Sequence, residues 1–263
     1  MRIALFAHPG GRAFGAVEGP AGSDDPEVLT IAELEGVPFS GIRYTGERWT
    51  LADVELLPPI LPSKVVGVGR NYAAHASELG NEVPSAPLLF LKPPTAIIGP
   101  GAPIRLPIDS KQVEHEAELA IVIGGRGARQ VSREDAMKSV FGFTCANDVT
   151  ARDQQRNDVQ FTRAKGYDSF CPLGPWIETD LNWADVGVQA LVGNDVKQDG
   201  RTKDMIFDVP TLVSYVSHVM TLLPGDVILT GTPAGVGPIV AGDSVSVRIE
   251  GLGTLTNPVA NRA

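Results

Sequence analysis

Residues 113–124 read Val-Glu-His-Glu-Ala-Glu-Leu-Ala-Ile-Val-Ile-Gly, and this stretch decides what kind of fold the chain can adopt. Its apolar half has the character of a buried strand. Alternate residues of a strand share a face, roughly 6.5–7 Å apart, so Glu114, Glu116 and Glu118 fall on one side and His115 on the other. Carboxylates leading into a buried strand repel one another and lose hydration unless a cation or a proton compensates. A hard cation does so by taking the oxygens directly. A solvated strand end would carry the same E-x-E pattern, and the spacing alone leaves both readings open.

Further apolar strands are predicted at 64–68, 88–91, 118–123, 141–146 and 227–230, with an alternating one at 245–249. Helices are predicted at 71–79, 133–140, 150–159 and 211–220. For the third, Thr150 and Asp153 have the spacing of a capping box. The 29 glycines and 21 prolines favour many short strands joined by turns. The fold class is therefore α+β and strand-dominated, without internal repeats. Residues 1–57 read as a small N-terminal β-rich domain with strands at 2–8, 13–17 and 41–45. Pro58-Pro59-Ile60-Leu61-Pro62 is a stiff extended joint, because successive prolines exclude helix. Residues 58–263 form the main domain.

Composition narrows the function. Hydrophobic residues at 43% and charged residues at 20% suit a packed globular chain of 263 residues. No apolar run is long enough to cross a bilayer, and the first ten residues break at His8, Pro9 and Gly10 before a signal-peptide core develops. A soluble cytoplasmic protein is expected. A net charge of -9 opposes nucleic-acid and anionic-membrane partners. An acidic substrate would need a local positive site, either a metal or a few placed lysines and arginines. Cys145 and Cys171 lack metal-site spacing and read as buried packing residues.

Asp148 follows the 141–146 strand and precedes a helix, where it can serve as a helix cap, an Asx-turn or an outward-pointing ligand. The helix that follows places Arg152 and Gln155 one turn apart on a common face. Lys165, before Gly166 in a polar turn, reads either as a surface residue or as a fixed cation for an anionic substrate. His75 and Glu78 stand at i and i+3, so the carboxylate can orient the imidazole as a general base. His8 and His218 have no such neighbour and read as structural or surface residues. The loop 229–238, Leu-Thr-Gly-Thr-Pro-Ala-Gly-Val-Gly-Pro, lacks the Gly-Lys-Ser/Thr of a P-loop. Its backbone amides can still contact a substrate oxyanion or carboxylate.

Together the stretches GVGRNYAAHASE, LFLKPPTAIIGPG, EHEAELAIVIG, GFTCANDVTARDQQ, RAKGYDSFCPLGPW and ILTGTPAGVGP resemble the fumarylacetoacetate hydrolase family, in family order from about Lys64 to the end. The first 57 residues resemble the small N-terminal domain of bacterial 2-hydroxyhepta-2,4-diene-1,7-dioate isomerase-like members. The resemblance implies a β-roll core, a homodimer and a Mg2+ or Mn2+ site, with Ca2+ sometimes found. It places the metal ligands on Glu116, Glu118 and Asp148 and leaves Glu114 out. It puts Lys165 against substrate oxygens and makes His75 and Glu78 the dyad of a mobile lid. Arg152, Gln155 and Thr232 become substrate contacts.

The implied chemistry is that of a small 2-oxo acid, whose enolate the cation stabilises when a C–C or C–H bond breaks. Hydrolysis, decarboxylation and 2-hydroxydienedioate isomerisation share that species. The dyad leans toward hydrolysis or decarboxylation, and the N-terminal domain toward isomerisation. Two other classes compete. A metal-dependent phosphoesterase would want a second metal and more ligands. A non-catalytic, metal-stabilised β protein would need none of His75, Glu78 and Lys165.

Overall fold

The computed structural model describes residues 1–20 and 22–262. Its backbone is a long mixed sheet whose order runs Tyr44–Thr50, Thr30–Leu34, Gly11–Glu18, Arg2–His8, Cys171–Glu178, Val140–Asn147, Ala117–Ile123, Val227–Leu229, Val65–Gly69, Leu88–Lys92. Five strands form a second sheet: Asp195–Arg201, Gly187–Val192, Ser244–Ile249, Gly253–Asn261 and Ile104–Leu106. Val113–His115, Thr150–Ala151 and Gly237–Pro238 make a third, small one. The chain is strand-dominated, as its sequence implies.

All seven residues of Ala117–Ile123 are buried, which explains why the stretch reads as an unbroken apolar run rather than an alternating one. Leu119, Ile121 and Ile123 pack with Val188, Val247 and Leu212, between the long sheet, the second sheet and the helix Val209–Val219. Ala120 and Val122 point the other way, onto Val65, Leu173 and Val227. The strand is thus the spine of two cores at once.

Several expected elements shift for identifiable reasons. Residues 133–140 give only a 3-10 turn, Ala136–Ser139, because Val140 and Phe141 are drawn into the sheet. The 150–159 helix is confined to Arg152–Asn157, since Thr150 and Ala151 pair with Glu114 and Val113. No capping box forms. The Thr150 hydroxyl donates to the Asp148 carbonyl, and Asp153 accepts from Ser110 and Lys111. The 71–79 helix is Ala73–Glu78. The strand expected at 41–45 is Tyr44–Thr50, and Thr30–Leu34 was not foreseen. His8 stacks on Trp49, and both cysteines are buried and unpaired.

The N-terminal strands do not stand apart from the rest. Arg2 and Ile3 pair with Glu178 and Ile177, so the meander of residues 2–50 continues the long sheet. Of the proline-rich joint, Ile60 is buried in the second core while Leu61 stays exposed. Buried Asp226 anchors the chain directly after it. Its carboxylate accepts from the Ser63 amide and hydroxyl, the Lys64 amide and the Leu223 amide, and pairs with the Lys64 ammonium. This aligns Val65–Gly69 parallel to Val227–Leu229.

Burial alone would raise the Asp226 pKa, but the donors from Lys64, Ser63 and Leu223 hold it below the usual carboxylate range. A depressed carboxyl pKa stabilises the fold above the unfolded value of about 3.9, and the contribution disappears as pH falls through the folded value. Asp226→Ala is therefore expected to cost about 2–4 kcal/mol in urea denaturation at pH 7. The deficit should shrink below about pH 4. An equal deficit at both pH values would contradict this account.

Candidate metal centre and the cavity above it

Two neighbouring strands leave the long sheet at the same place. At Glu116 the chain passes from Val113–His115 in the small sheet to Ala117–Ile123 in the long one. At Asp148 it passes back, from Val140–Asn147 to Thr150–Ala151. The corners lock together: the Asp148 amide donates to the Glu116 carbonyl (2.9 Å), and the Glu116 amide donates to Asn147 Oδ1 (3.0 Å). Glu116, Glu118 and Asp148 then offer ligand oxygens lying within 4.8 Å of one another. All three side chains are buried, which removes the solvated strand end as an explanation. The break at Glu116 also means that Glu114 belongs to the small sheet, where it pairs with Arg152 and stays outside the triad.

Each carboxylate has one oxygen held by a fixed donor. Arg152 Nη2 donates to Glu116 Oε1 (2.6 Å), the Gly231 amide to Glu118 Oε2 (2.6 Å), and Lys92 Nζ to Asp148 Oδ1 (2.6 Å). Lys165 Nζ bridges the other oxygens of Glu116 (2.9 Å) and Asp148 (2.6 Å). Four buried carboxylates, Glu114, Glu116, Glu118 and Asp148, thus meet three buried cations, Lys92, Arg152 and Lys165, which leaves one negative charge over. That charge belongs to Glu118, which has a single backbone donor and no cation on it. Burial, with Asp148 and Glu116 beside it, pushes its carboxyl well above the ordinary range. Glu116 goes the opposite way: against burial, Lys165, Arg152 and His75 hold it well below that range. For Lys165, burial opposes the charge, yet Asp148 and Glu116 keep the ammonium protonated. A divalent cation fits this all-oxygen donor set, because it more than offsets the one surplus negative charge.

Above the triad lies a cavity of about 440 Å³. The structure brings all the residues singled out in the sequence to it: Glu116, Glu118 and Asp148, then Lys165, Arg152 and Gln155, then His75, Glu78 and Thr232. His75 is buried on the short helix Ala73–Glu78, with Nδ1 3.3 Å from Glu78 Oε2. Glu78 Oε1 accepts from the Gly235 amide (3.0 Å), so the dyad rests on the Gly-rich loop. Arg152 spends three of its five N–H donors on Glu114, Glu116 and Gln155. The Thr232 hydroxyl donates to the Ala117 carbonyl (2.8 Å) and accepts from Gln198 Nε2 (2.7 Å), leaving the cavity one lone pair.

Sequence reasoning missed Lys92, Phe90 and Gln198. A lysine closing the apolar strand Leu88–Lys92, just ahead of two prolines, was the available signal for the first. Phe90 lines the cavity under Lys165, whose Nζ is 5.0 Å from the ring centroid. The ring fits because residue 67 is glycine; a Cβ there would lie 2.2 Å from it. Gln198 is fully buried and joins His115 to Thr232 behind the cavity wall. Nothing in its exposed-looking neighbourhood of Lys and Asp marks it in the sequence.

With this geometry in hand, the family follows. Residues 64–260 match the family model described as Fumarylacetoacetate (FAA) hydrolase C-terminal, and residues 1–59 match the model described as Rv2993c-like, N-terminal. The chain belongs to the fumarylacetoacetate hydrolase family. Protein Rv2993c of Mycobacterium tuberculosis is 54% identical over 265 residues, spanning 100% of this chain and 99% of that one. A crystal structure of 2-hydroxyhepta-2,4-diene-1,7-dioate isomerase from Mycobacterium marinum is 52% identical, with a TM-score of 0.93 over 100% of this chain and 99% of that chain. Maleylpyruvate hydrolase from Sphingobium sp. SYK-6, in complex with manganese (II) ion and pyruvate, is 33% identical, with a TM-score of 0.80 over 100% of both chains.

The charge count makes a prediction about stability without metal. Glu118→Gln removes an uncompensated buried charge and is expected to raise the thermal midpoint in EDTA. Glu116→Gln takes one of two carboxylate partners from each of Lys165 and Arg152 and is expected to lower stability, by about 1–3 kcal/mol. A lowered midpoint for Glu118→Gln would mean that the surplus charge is balanced elsewhere.

Proposed function

We propose that this chain is a divalent-cation-dependent enzyme acting on small 2-oxo or enol acids, with Mg2+ or Mn2+ held by Glu116, Glu118 and Asp148. The observation that carries the reading is a buried carboxylate triad left one positive charge short, at Glu118, beside a cavity whose wall also holds a histidine–glutamate dyad. A cation bound there would polarise the 2-oxo group of a substrate and offset the negative charge that develops beside it. The remaining work falls to the protein. Lys165 carries a fixed positive charge to the same point and meets substrate oxygens. Gln155, whose Oε1 is committed to Arg152, has its amide N–H groups to offer.

When Glu78 accepts the Nδ1 proton of His75, the Nε2 lone pair is free to take a proton from water. That supports hydrolysis of the C–C bond of an acylpyruvate-type acid. Similarity to the isomerase structure over the whole chain, N-terminal strands included, supports a second reading, in which the enol acid is only reprotonated. Decarboxylation of oxaloacetate needs no further group and belongs to the same panel. A phosphoesterase gains no support, since the described residues hold a single acidic cluster where that chemistry wants two metals.

The test is an NMR-followed panel of acylpyruvates, oxaloacetate and 2-hydroxydienedioates with Mg2+. Glu116→Ala and Asp148→Ala are expected to abolish turnover, and undiminished activity in both would overturn the cation site. His75→Ala is expected to slow hydrolysis by about 10²–10⁴-fold while sparing proton exchange next to the 2-oxo group. Hydrolysis at the parental rate in that variant would remove the dyad from the mechanism.

A further inference from the structure

Lys165 and Lys92 both sit on Asp148, but they differ in what they can do next. Lys165 lines the cavity, with its ammonium on Asp148 Oδ2 at 2.6 Å. Lys92 is not among the cavity-lining residues, and its side chain is fully buried. It ends the strand Leu88–Lys92, paired to Val65 and followed by Pro93. Its ammonium donates to Asp148 Oδ1 at 2.6 Å and to the Val149 carbonyl at 3.3 Å. It has no route to a substrate.

What it controls is the denticity of Asp148. Mg2+ demands near-octahedral single-oxygen ligation, whereas Ca2+ takes six to eight oxygens and readily accepts both from one carboxylate. With Oδ1 committed to a buried ammonium, the only oxygen Asp148 can turn to a cation is Oδ2, which Lys165 now holds at 2.6 Å. Arg152 on Glu116 Oε1 and the Gly231 amide on Glu118 Oε2 restrain the other two ligands in the same sense. We propose that Lys92 is a positioning residue that sets metal preference, holding Asp148 to one ligand oxygen and so favouring Mg2+ and Mn2+ over Ca2+. The proposal rests on the cation reading above.

Calorimetric titration of the purified protein with MgCl2, MnCl2 and CaCl2 tests it, and no turnover is needed. In Lys92→Met the loss of charge strengthens binding of every divalent cation, so the informative quantity is the ratio of affinities. The Ca2+/Mn2+ ratio is expected to rise at least about tenfold over the parent, the scale typical of losing a group that orients a ligand. Lys92→Gln keeps an N–H donor for Oδ1 without the charge and is expected to hold the ratio close to the parental value. An unchanged ratio in Lys92→Met, or an equal rise in both variants, would overturn the proposal. If Lys92→Met does not fold, a crystal structure of the Mn2+-loaded parent decides. Asp148 bound through Oδ2 alone, with Lys92 still on Oδ1, supports the proposal, and bidentate Asp148 refutes it. A parent that binds none of the three ions would instead overturn the cation reading itself.

Discussion

Where two adjacent strands change sheets together, their backbones must satisfy each other, and here they do so through the Asp148 amide on the Glu116 carbonyl and the Glu116 amide on Asn147. A continuous strand would have kept residues 114, 116 and 118 in one row, evenly spaced along a single sheet. The break instead sends Glu114 toward Arg152 and gathers Glu116, Glu118 and Asp148. Because the corners lie between sheets, the carboxylates are withdrawn from water. Isolated buried charges are too costly to keep, so the neighbouring cations are a structural necessity before they are a chemical convenience.

That constraint orders the roles of the three cations. Lys92 holds Asp148 and Arg152 holds Glu116 by one oxygen each, and Lys165 bridges the remaining oxygens of those two carboxylates. Compensation stops one charge short, at Glu118. A cluster built only for stability would gain by replacing that glutamate with an amide or an apolar residue, since an unpaired buried carboxylate is the costliest member of such a set. On the proposed reading, its presence is what turns an ion-pair network into a receptor for a cation.

Much of this was legible because the chemistry-bearing residues lie next to strong local patterns. The apolar run after Glu118, the turn position of Asp148 and the i, i+3 pair of His75 and Glu78 are short-range signals, and the structure brings these residues to one cavity. The failures share one cause. Thr150 and Asp153 had the spacing of a capping box, but sheet pairing with Val113 and Glu114 claimed Thr150 and Ala151 first. The pairing of Arg2 with Glu178 has no local signature. Lys92 and Gln198 are polar residues whose partners lie 56 and 34 positions away, so their burial could not be read from neighbours in sequence.

The Gly-rich loop connects the two halves of the cavity. Its Gly231 amide fixes Glu118 in the triad, and its Gly235 amide fixes Glu78 in the dyad. Both glycines have positive φ, 96° and 100°. Space is as restrictive as conformation: a Cβ would lie 2.7 Å from Asn71 Cβ at the first and 2.1 Å from the Lys197 carbonyl at the second. Asn71 reinforces the loop from the other side by donating to the Thr230 carbonyl (2.7 Å), one residue before the short helix region that carries the dyad begins at Tyr72. The separation between the dyad and the acidic triad is therefore set by one backbone segment of a few residues. Two of the loop's amides, those of Gly231 and Gly235, go to the protein's own carboxylates, and so hold the acidic triad and the dyad in register.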